Sequence, residues 1–233
     1  MVFKKKMKEN EHNGIVVADN PTSIVSEQIR TIRTNIQFSM IDKKLQTLLI
    51  TSATAETGKT TIASNLAAAF AAENAKVLLV ATDMRKPRLQ KIFNISKKQG
   101  LSNLITNSSL KVEDVTRKTY IENLSVITCG PIPPNPSELL NSNRMLALIE
   151  DIKEQYDLVI FDSPPLLAVT DAQILSTKVD GTIFVIPQGG VSKEEVRDAS
   201  ERLKNVKANV LGTVLNKVEP NADAYYYYES ELN

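Results

Sequence analysis

The sequence lacks the features of disulfide-rich, zinc-binding and membrane-spanning proteins. Its single cysteine, Cys129, excludes an internal disulfide and fits a reducing compartment. One histidine and one cysteine are too few for a structural zinc site. No apolar run approaches the ~20 residues that are needed to cross a bilayer, and residues 1–13 lack the apolar segment of a secretory signal. These absences predict a cytoplasmic protein.

The sequence also lacks an excess of charge of either sign. The net charge is +1 over 233 residues, which does not indicate binding to nucleic acid, and we expect no nucleic-acid partner. A chain of this length can bury the core of one large α/β domain. The lysines near its start leave two interpretations open, contact with an anionic membrane surface or a solvated terminus. These lysines are Lys4, Lys5, Lys6 and Lys8.

What the sequence does have is a phosphate-loop pattern: a β-prone run over 45–50, then Gly58-Lys59-Thr60, then a helical pattern. The first N–H groups of a helix have no partner within it, and the helix dipole adds partial positive charge there. Lys59 can reach the β- and γ-phosphates of a nucleotide, and the Thr60 hydroxyl lies where a Mg²⁺ ligand is needed. We expect nucleotide to be bound by Thr57, Gly58, Lys59, Thr60 and Thr61.

This pattern departs from the usual G-x-x-x-x-G-K-[ST] in one place, because its first glycine falls on Ala53. The alternative is an ordinary strand-to-helix turn with Lys59 in the first helical turn. The helix dipole disfavours that alternative, because it repels a lysine at this end. The tripeptide alone leaves both interpretations open, so the remainder of the chain has to decide.

Short apolar strand patterns alternate with helical patterns along the rest of the chain. This alternation predicts an α/β fold with a mostly parallel central sheet and helices on both faces, as in P-loop NTPases. We expect a flexible N-terminal segment over 1–20, a single domain over 21–218 and a flexible tyrosine-rich tail over 219–233. One continuous helix is predicted over 137–155.

Two acids, Asp83 and Asp162, lie at the ends of buried strand patterns. Ligands bind outside the carboxyl ends of parallel strands, so both acids are expected beside the phosphate loop. A strand-end aspartate can hold Mg²⁺ or merely cap a helix, but two of them at the edge that carries the loop favour nucleotide binding. We expect Lys59, Asp83 and Asp162 to be catalytic, and Thr60, Asp83 and Asp162 to hold the metal.

Five further motifs mark the chain. They are Asp83-Met84-Arg85-Lys86-Pro87, the proline-rich segment 130–139, Asp162-Ser163-Pro164-Pro165, Thr170-Asp171-Ala172, and the adjacent tyrosines Tyr225, Tyr226, Tyr227 and Tyr228. Together they resemble the motifs of bacterial tyrosine kinases of the capsule and exopolysaccharide type, in the form found in Gram-positive bacteria. The resemblance extends from about residue 26 to the tyrosines, which is nearly the whole chain.

The resemblance implies a P-loop kinase domain related to division-site and partitioning ATPases, with ATP and Mg²⁺ bound by the motifs known as Walker A, A′ and B. It implies transfer of the γ-phosphate to the tail tyrosines, mainly those of a neighbouring subunit. It implies activation by the cytoplasmic end of a membrane adaptor, and hence a peripheral location at the inner face of the membrane. A cognate tyrosine phosphatase and control of polysaccharide synthesis and export complete this expectation.

Two more site predictions depend on the resemblance. Glu27, Arg30 and Arg33 lie along one side of a helix that is predicted to begin near residues 21–23. Their pattern alone allows a solvated face with an internal ion pair, whereas the resemblance implies the interface of a ring-shaped homo-oligomer. Asn216 ends the last predicted strand and resembles the asparagine that reads adenine in related ATPases, although a turn or helix-cap asparagine is the alternative.

Two positions depart from the family pattern. Ala81 stands where the Walker A′ motif usually has the first of two aspartates, a candidate for deprotonating the acceptor tyrosine. A tyrosine hydroxyl has a pKa near 10 and is a poor nucleophile until its proton is removed, which alanine cannot do. We therefore expect reduced activity. Glu56 stands where glycine is common, and its carboxylate must point away from the phosphates or repel them.

Two other functions stay open. The first is a nucleotide switch of the division-site and partitioning class. That class typically has a lysine where this chain has Thr54, and a switch has no use for four exposed tyrosines. The second is a pseudokinase regulator, suggested by Ala81, that binds nucleotide without turnover.

Overall fold

The computed structural model describes residues 14–40, 44–96 and 98–219. The strands are β1 Thr47–Ser52, β2 Val77–Ala81, β3 Arg117–Lys118, β4 Leu124–Ile127, β5 Leu158–Asp162, β6 Gly181–Pro187 and β7 Val210–Asn216. The helices are α1 Val16–Asp19, α2 Ile24–Phe38, α3 Lys59–Ala71, α4 Leu89–Ile92, α5 Leu101–Thr106, α6 Val112–Val115, α7 Pro136–Asn141, α8 Asn143–Lys153, α9 Asp171–Ser176 and α10 Lys193–Asn205.

The strands form one sheet in the order β3-β4-β2-β5-β1-β6-β7. Every pairing is parallel except that of β3 with β4. Strands β1, β2 and β5 are buried along their whole length, as the continuous apolar runs require of strands that are covered on both faces. The prediction of a mostly parallel α/β sheet is confirmed.

This strand order determines where the functional segments lie. The segments that follow β1, β5, β2 and β4 leave neighbouring strands at their carboxyl ends, so they stand side by side along one edge of the sheet. They carry, in that order, the phosphate loop, Asp162, Asp83 and the proline-rich segment.

The prediction of a flexible segment over 1–20 is wrong for residues 14–19. These residues contain α1, and Ile15 and Val17 are buried in the core. The Asn65 side chain of α3 clamps this segment, because it accepts a hydrogen bond from the Val17 N–H at 3.2 Å and donates one to the Gly14 carbonyl at 3.0 Å. The predicted flexible tail, by contrast, lies outside the described residues from 220 onward.

The single helix predicted over 137–155 is two helices, α7 and α8, separated at Ser142. Ser142 has an extended backbone and is the N-cap of α8, and its hydroxyl accepts a hydrogen bond from the Met145 N–H at 3.1 Å. A serine at that position starts a helix more favourably than it continues one. No helix within the described residues has both the length and the apolar character needed to span a bilayer.

Candidate active site

The phosphate loop connects β1 to α3, and Gly58 is the N-cap of that helix. Gly58 has a φ of +92°, and a Cβ there would collide with the Asn216 side chain, so two independent constraints require glycine. The cap provides no side-chain oxygen to the N–H groups of the first turn. These groups therefore remain available to an anion, as the phosphate-loop prediction requires. Thr57 is buried and Thr61 exposed on either side of this turn.

The two departures in the loop have local explanations. Ala53 is buried, and its carbonyl accepts the Leu167 N–H at 3.1 Å, so the loop accommodates a methyl group where glycine is usual. Glu56 adopts a φ of +61°, a region that favours glycine. Its side chain is 80% exposed and pairs with the Arg88 guanidinium at 3.7 Å, so the carboxylate is directed to the surface.

The centre of the site joins the start of α3 to the end of β5. The Thr60 hydroxyl donates a 2.8 Å hydrogen bond to Asp162 Oδ2. Lys59 and Asp162 are both buried. The other carboxylate oxygen of Asp162, Oδ1, is buried without a hydrogen-bond partner among the described residues. An unsatisfied buried carboxylate oxygen is costly, which makes this atom a candidate ligand for a cation.

Burial sets the protonation of both charged groups. It raises the pKa of the Asp162 carboxyl to about 7, although the Thr60 hydrogen bond and the Lys59 charge act in the opposite direction. Burial also lowers the pKa of the Lys59 ammonium, and the charges of Asp162 and Asp83 oppose that change. The protein alone therefore does not fully stabilise either the Asp162 carboxylate or the Lys59 ammonium in its charged form. Phosphates beside Lys59 and a divalent cation beside Asp162 would provide the missing opposite charges.

Asp83 is tied to Asp162 through the backbone. The Asp162 carbonyl accepts hydrogen bonds from the Thr82 N–H at 2.9 Å, the Asp83 N–H at 3.0 Å and the Thr82 hydroxyl at 2.8 Å. The Asp83 carboxylate accepts the N–H groups of Arg85 and Lys86 and so fixes the turn after β2. Ala81 is the direct cross-strand neighbour of Asp162. A carboxylate at position 81 would therefore lie in this same site, where alanine contributes nothing polar.

Mg²⁺ fits these residues. Asp162 Oδ1 lacks a partner, the Thr60 hydroxyl is bonded to the same carboxylate, and Asp83 follows the adjacent strand. In the described part of the chain, no three His, Cys, Asp or Glu side chains come together as a metal site. Mg²⁺ does not need such a cage, because it is usually held by one or two carboxylates together with waters and substrate phosphates.

Asn216 lies beside the phosphate loop rather than free at the strand end. Its side-chain amide donates a 2.9 Å hydrogen bond to the Thr57 carbonyl, across 159 positions of sequence. This contact gives Asn216 a role in holding the loop, which the sequence did not suggest. Adenine recognition by this residue stays a prediction.

A second buried carboxylate, Asp171, was not identified as a site residue from the sequence. It is fully buried at the start of α9 and accepts hydrogen bonds from Arg85 Nε at 3.2 Å and the Ser137 hydroxyl at 2.5 Å. The three residues belong to three of the five motifs of the family resemblance, so the motifs themselves were the available signal. Their partnership could not be read from spacing.

Glu27, Arg30 and Arg33 lie on α2, outside the nucleotide site. Glu27 and Arg30 pair with each other at the surface, which confirms the internal ion pair. Arg33 is different: its side chain is 12% exposed and contacts the Glu73 carboxylate at 2.9 Å and the Ala69 carbonyl at 3.0 Å. The predicted phosphoacceptors, Tyr225–Tyr228, lie outside the described residues.

The comparisons with known proteins agree with this geometry. A model of the AAA domain matches residues 46–216. Tyrosine-protein kinase YwqD of Bacillus subtilis (strain 168) is 40% identical over 229 residues, which cover 97% of this chain and 96% of that protein. The crystal structure of the chimerical protein CapA2B2 matches with a TM-score of 0.85 and 40% identity, covering 89% of this chain and 91% of that one.

A more distant structure supports the fold alone. The septum site-determining protein MinD of Pyrococcus horikoshii, solved with Mg-ADP, matches with a TM-score of 0.62 at 22% identity, over 78% of this chain and 76% of that one.

Full-length similarity to YwqD, the AAA-domain match and the phosphate-loop site agree with one another. The chain belongs to the bacterial tyrosine-protein kinases that are built on a P-loop ATPase fold.

Proposed function

We propose that this chain binds ATP with Mg²⁺ and transfers the γ-phosphoryl group to tyrosines of its own C-terminal cluster, Tyr225–Tyr228. The observation that carries the proposal is that Lys59 and Thr60, at the start of α3, meet Asp162, at the end of β5, with Lys59 and Asp162 buried. A P-loop kinase assembles this arrangement around the phosphates.

The residues divide the work as follows. The N–H groups at the start of α3 and the Lys59 ammonium hold the β- and γ-phosphates. Burial lowers the pKa of Lys59, and the negative phosphates stabilise its protonated form. Thr60, Asp162 and Asp83 hold Mg²⁺, which neutralises charge on the phosphates when it is bound. A new bond forms between the tyrosine oxygen and the γ-phosphorus, the bond to the bridging oxygen of ADP breaks, and the tyrosine proton leaves.

Ala81 limits the removal of the tyrosine proton. It stands beside Asp162 and cannot accept a proton, which leaves Asp83, whose carboxylate already accepts the Arg85 and Lys86 N–H groups, as the acid after β2 that takes the tyrosine proton. Phosphoryl transfer depends mainly on positioning and charge neutralisation. The absence of an aspartate at position 81 therefore slows the reaction without abolishing it. The same observation supports a second candidate, a pseudokinase that binds nucleotide as a regulator.

We propose a wider setting that the family relationship supports. The chain acts on the tail of a neighbouring subunit in a ring held by Glu27, Arg30 and Arg33. It is recruited to the inner face of the membrane and activated by the cytoplasmic end of a membrane adaptor. A tyrosine phosphatase reverses the modification, and the cycle regulates capsular or exopolysaccharide synthesis.

The test is to incubate the chain with Mg-ATP and an adaptor fragment and to map phosphotyrosine, beside Ala81→Asp and Lys59→Met variants. We expect phosphate on the tail, a rate that rises about 10²-fold or more with Ala81→Asp, as general-base catalysis typically gives, and no transfer with Lys59→Met. Nucleotide binding without any tail phosphorylation, in the parent and in Ala81→Asp, would select the pseudokinase.

A further inference from the structure

The segments that follow β2 and β4 form one surface next to the nucleotide site. Strand β2 lies between β5 and β4, and all three are parallel. The proline-rich segment after β4 therefore lies on the side of Asp83 away from the phosphate loop. An acceptor that approaches the γ-phosphate across Asp83 meets this surface first.

Buried contacts hold the two segments together. Asp171 accepts hydrogen bonds from Arg85, which follows β2, and from Ser137, which lies in the first turn of α7 within the proline-rich segment. The same segment is fixed at its other end, where the Pro131 carbonyl accepts the Ser102 hydroxyl at 2.7 Å. The surface is therefore a preformed one, anchored on both sides.

Next to these anchors, the segment after β4 exposes an apolar side chain and the segment after β2 exposes basic ones. Ile132 is 65% exposed and is followed by Pro133 and Pro134. Lys86 and Arg88, after β2, are exposed. Arg88 reaches the phosphate loop through its 3.7 Å pair with Glu56, whereas the Lys86 ammonium has no ion-pair partner among the residues that the structure describes.

The C-terminal tail has the complementary chemistry. Residues 220–233 contain four tyrosines with Asp223, Glu229 and Glu231 around them, and neither lysine nor arginine. Tyrosine rings pack well on isoleucine and proline, and flanking carboxylates are attracted to exposed lysine and arginine. We propose that Lys86, Arg88 and Ile132 form the docking surface for the acidic tyrosine tail of a second copy of this chain. The proposal rests on the proposed function, for which it names the substrate-binding surface.

The position of the tail favours a second copy. The tail leaves β7, which is four strand spacings from β2 and five from β4, or about 19 and 24 Å at ~4.8 Å per strand. The seven residues from Glu219 to Tyr225 are joined by six residue-to-residue steps, which span at most about 22 Å when fully extended. A chain's own first tyrosine would have to cross the whole nucleotide site in a straight line, whereas a neighbour's tail has no such restriction.

The experiment uses two full-length chains. The enzyme chain has Tyr225–Tyr228 changed to phenylalanine, and the acceptor chain carries Lys59→Met, so phosphate can pass in one direction only. We expect Lys86→Glu in the enzyme chain to lower transfer at limiting acceptor about tenfold, and Ile132→Ser to lower it severalfold. The matched control is Lys86→Glu in the acceptor chain, which should change nothing. Glu229→Lys with Glu231→Lys in the acceptor should restore transfer by the Lys86→Glu enzyme.

Binding of a fluorescent peptide with the sequence of residues 220–233 to the nucleotide-loaded chain separates this proposal from the kinase activity. Lys86→Glu should weaken binding about tenfold, whereas Lys204→Glu, at an exposed lysine of α10, should not. That result supports the docking surface even if no phosphate is transferred. Equal binding by both variants, or no binding to the unsubstituted chain, overturns the docking surface whether or not transfer occurs.

Discussion

At the scale of single residues, Asp162 makes an unusual contribution to stability. The pKa of its carboxyl rises from the ordinary 3.8 to about 7 in the folded chain. Between these values the folded chain keeps a proton that the unfolded chain has released. Its contribution is therefore fully present below about pH 4 and is lost as the pH rises through 7.

We predict that the free energy of unfolding of the nucleotide-free chain falls from pH 5 to pH 8, and that Asp162→Asn removes much of this fall. At about 1.4 kcal/mol per pKa unit, the part of this fall that Asp162 causes is on the order of a few kcal/mol. Urea unfolding at several pH values measures it. Asp151→Asn, at an exposed carboxylate of α8, is the matched control. Parallel curves for Asp162→Asn and the parent would contradict the assignment.

At the scale of the elements, α2 supports the end of α3. Arg33 is mostly buried, and its guanidinium contacts the Ala69 carbonyl near the C-terminus of α3 and the Glu73 carboxylate beyond it. A cation at this end of a helix opposes the partial negative charge of its last carbonyls. The predicted interface residue thus has a role within its own chain.

We predict that Arg33→Ala lowers the free energy of unfolding by about 2 kcal/mol, because it removes a charged hydrogen bond in a partly buried setting. Arg30→Ala, which breaks a surface pair with Glu27 and a hydrogen bond to the Pro21 carbonyl, should cost less, about 1 kcal/mol. Chemical denaturation of the two variants gives the comparison. Equal losses would mean that the Arg33 contacts add nothing to the fold.

At the scale of the whole molecule, the proposed ring can now be tested without damaging the fold. We predict that Glu27→Ala with Arg30→Ala gives a monomer that still binds ATP, while Arg33 is left in place to support α3. Each phosphotyrosine adds about −1.5 to −2 charges to the tail. Several such tails in one ring would repel one another, so the phosphorylated chain should also be monomeric. Light scattering measures the mass. A parent chain that is monomeric at high concentration would remove the ring.

The sequence predicted the parts of the molecule that depend on neighbours in the chain. Gly58-Lys59-Thr60 between a strand and a helix located the phosphate loop, and continuous apolar runs located the parallel strands. What it missed depends on distant partners or on short segments. Arg85 meets Asp171 across 86 positions. Helix α1 is too short for a periodic pattern, and apolar periodicity continues on both sides of the break at Ser142.

The clamp between Asn65 and the segment before α2 determines where this domain can be cut. Shortening the chain to begin at Pro21 would remove Ile15 and Val17 from the core and leave the buried Asn65 amide without the partners that those residues and Gly14 supply. We therefore expect the smallest piece that folds on its own to start at or before Gly14. A purification tag or a fused reporter belongs ahead of that residue, where it leaves the clamp closed.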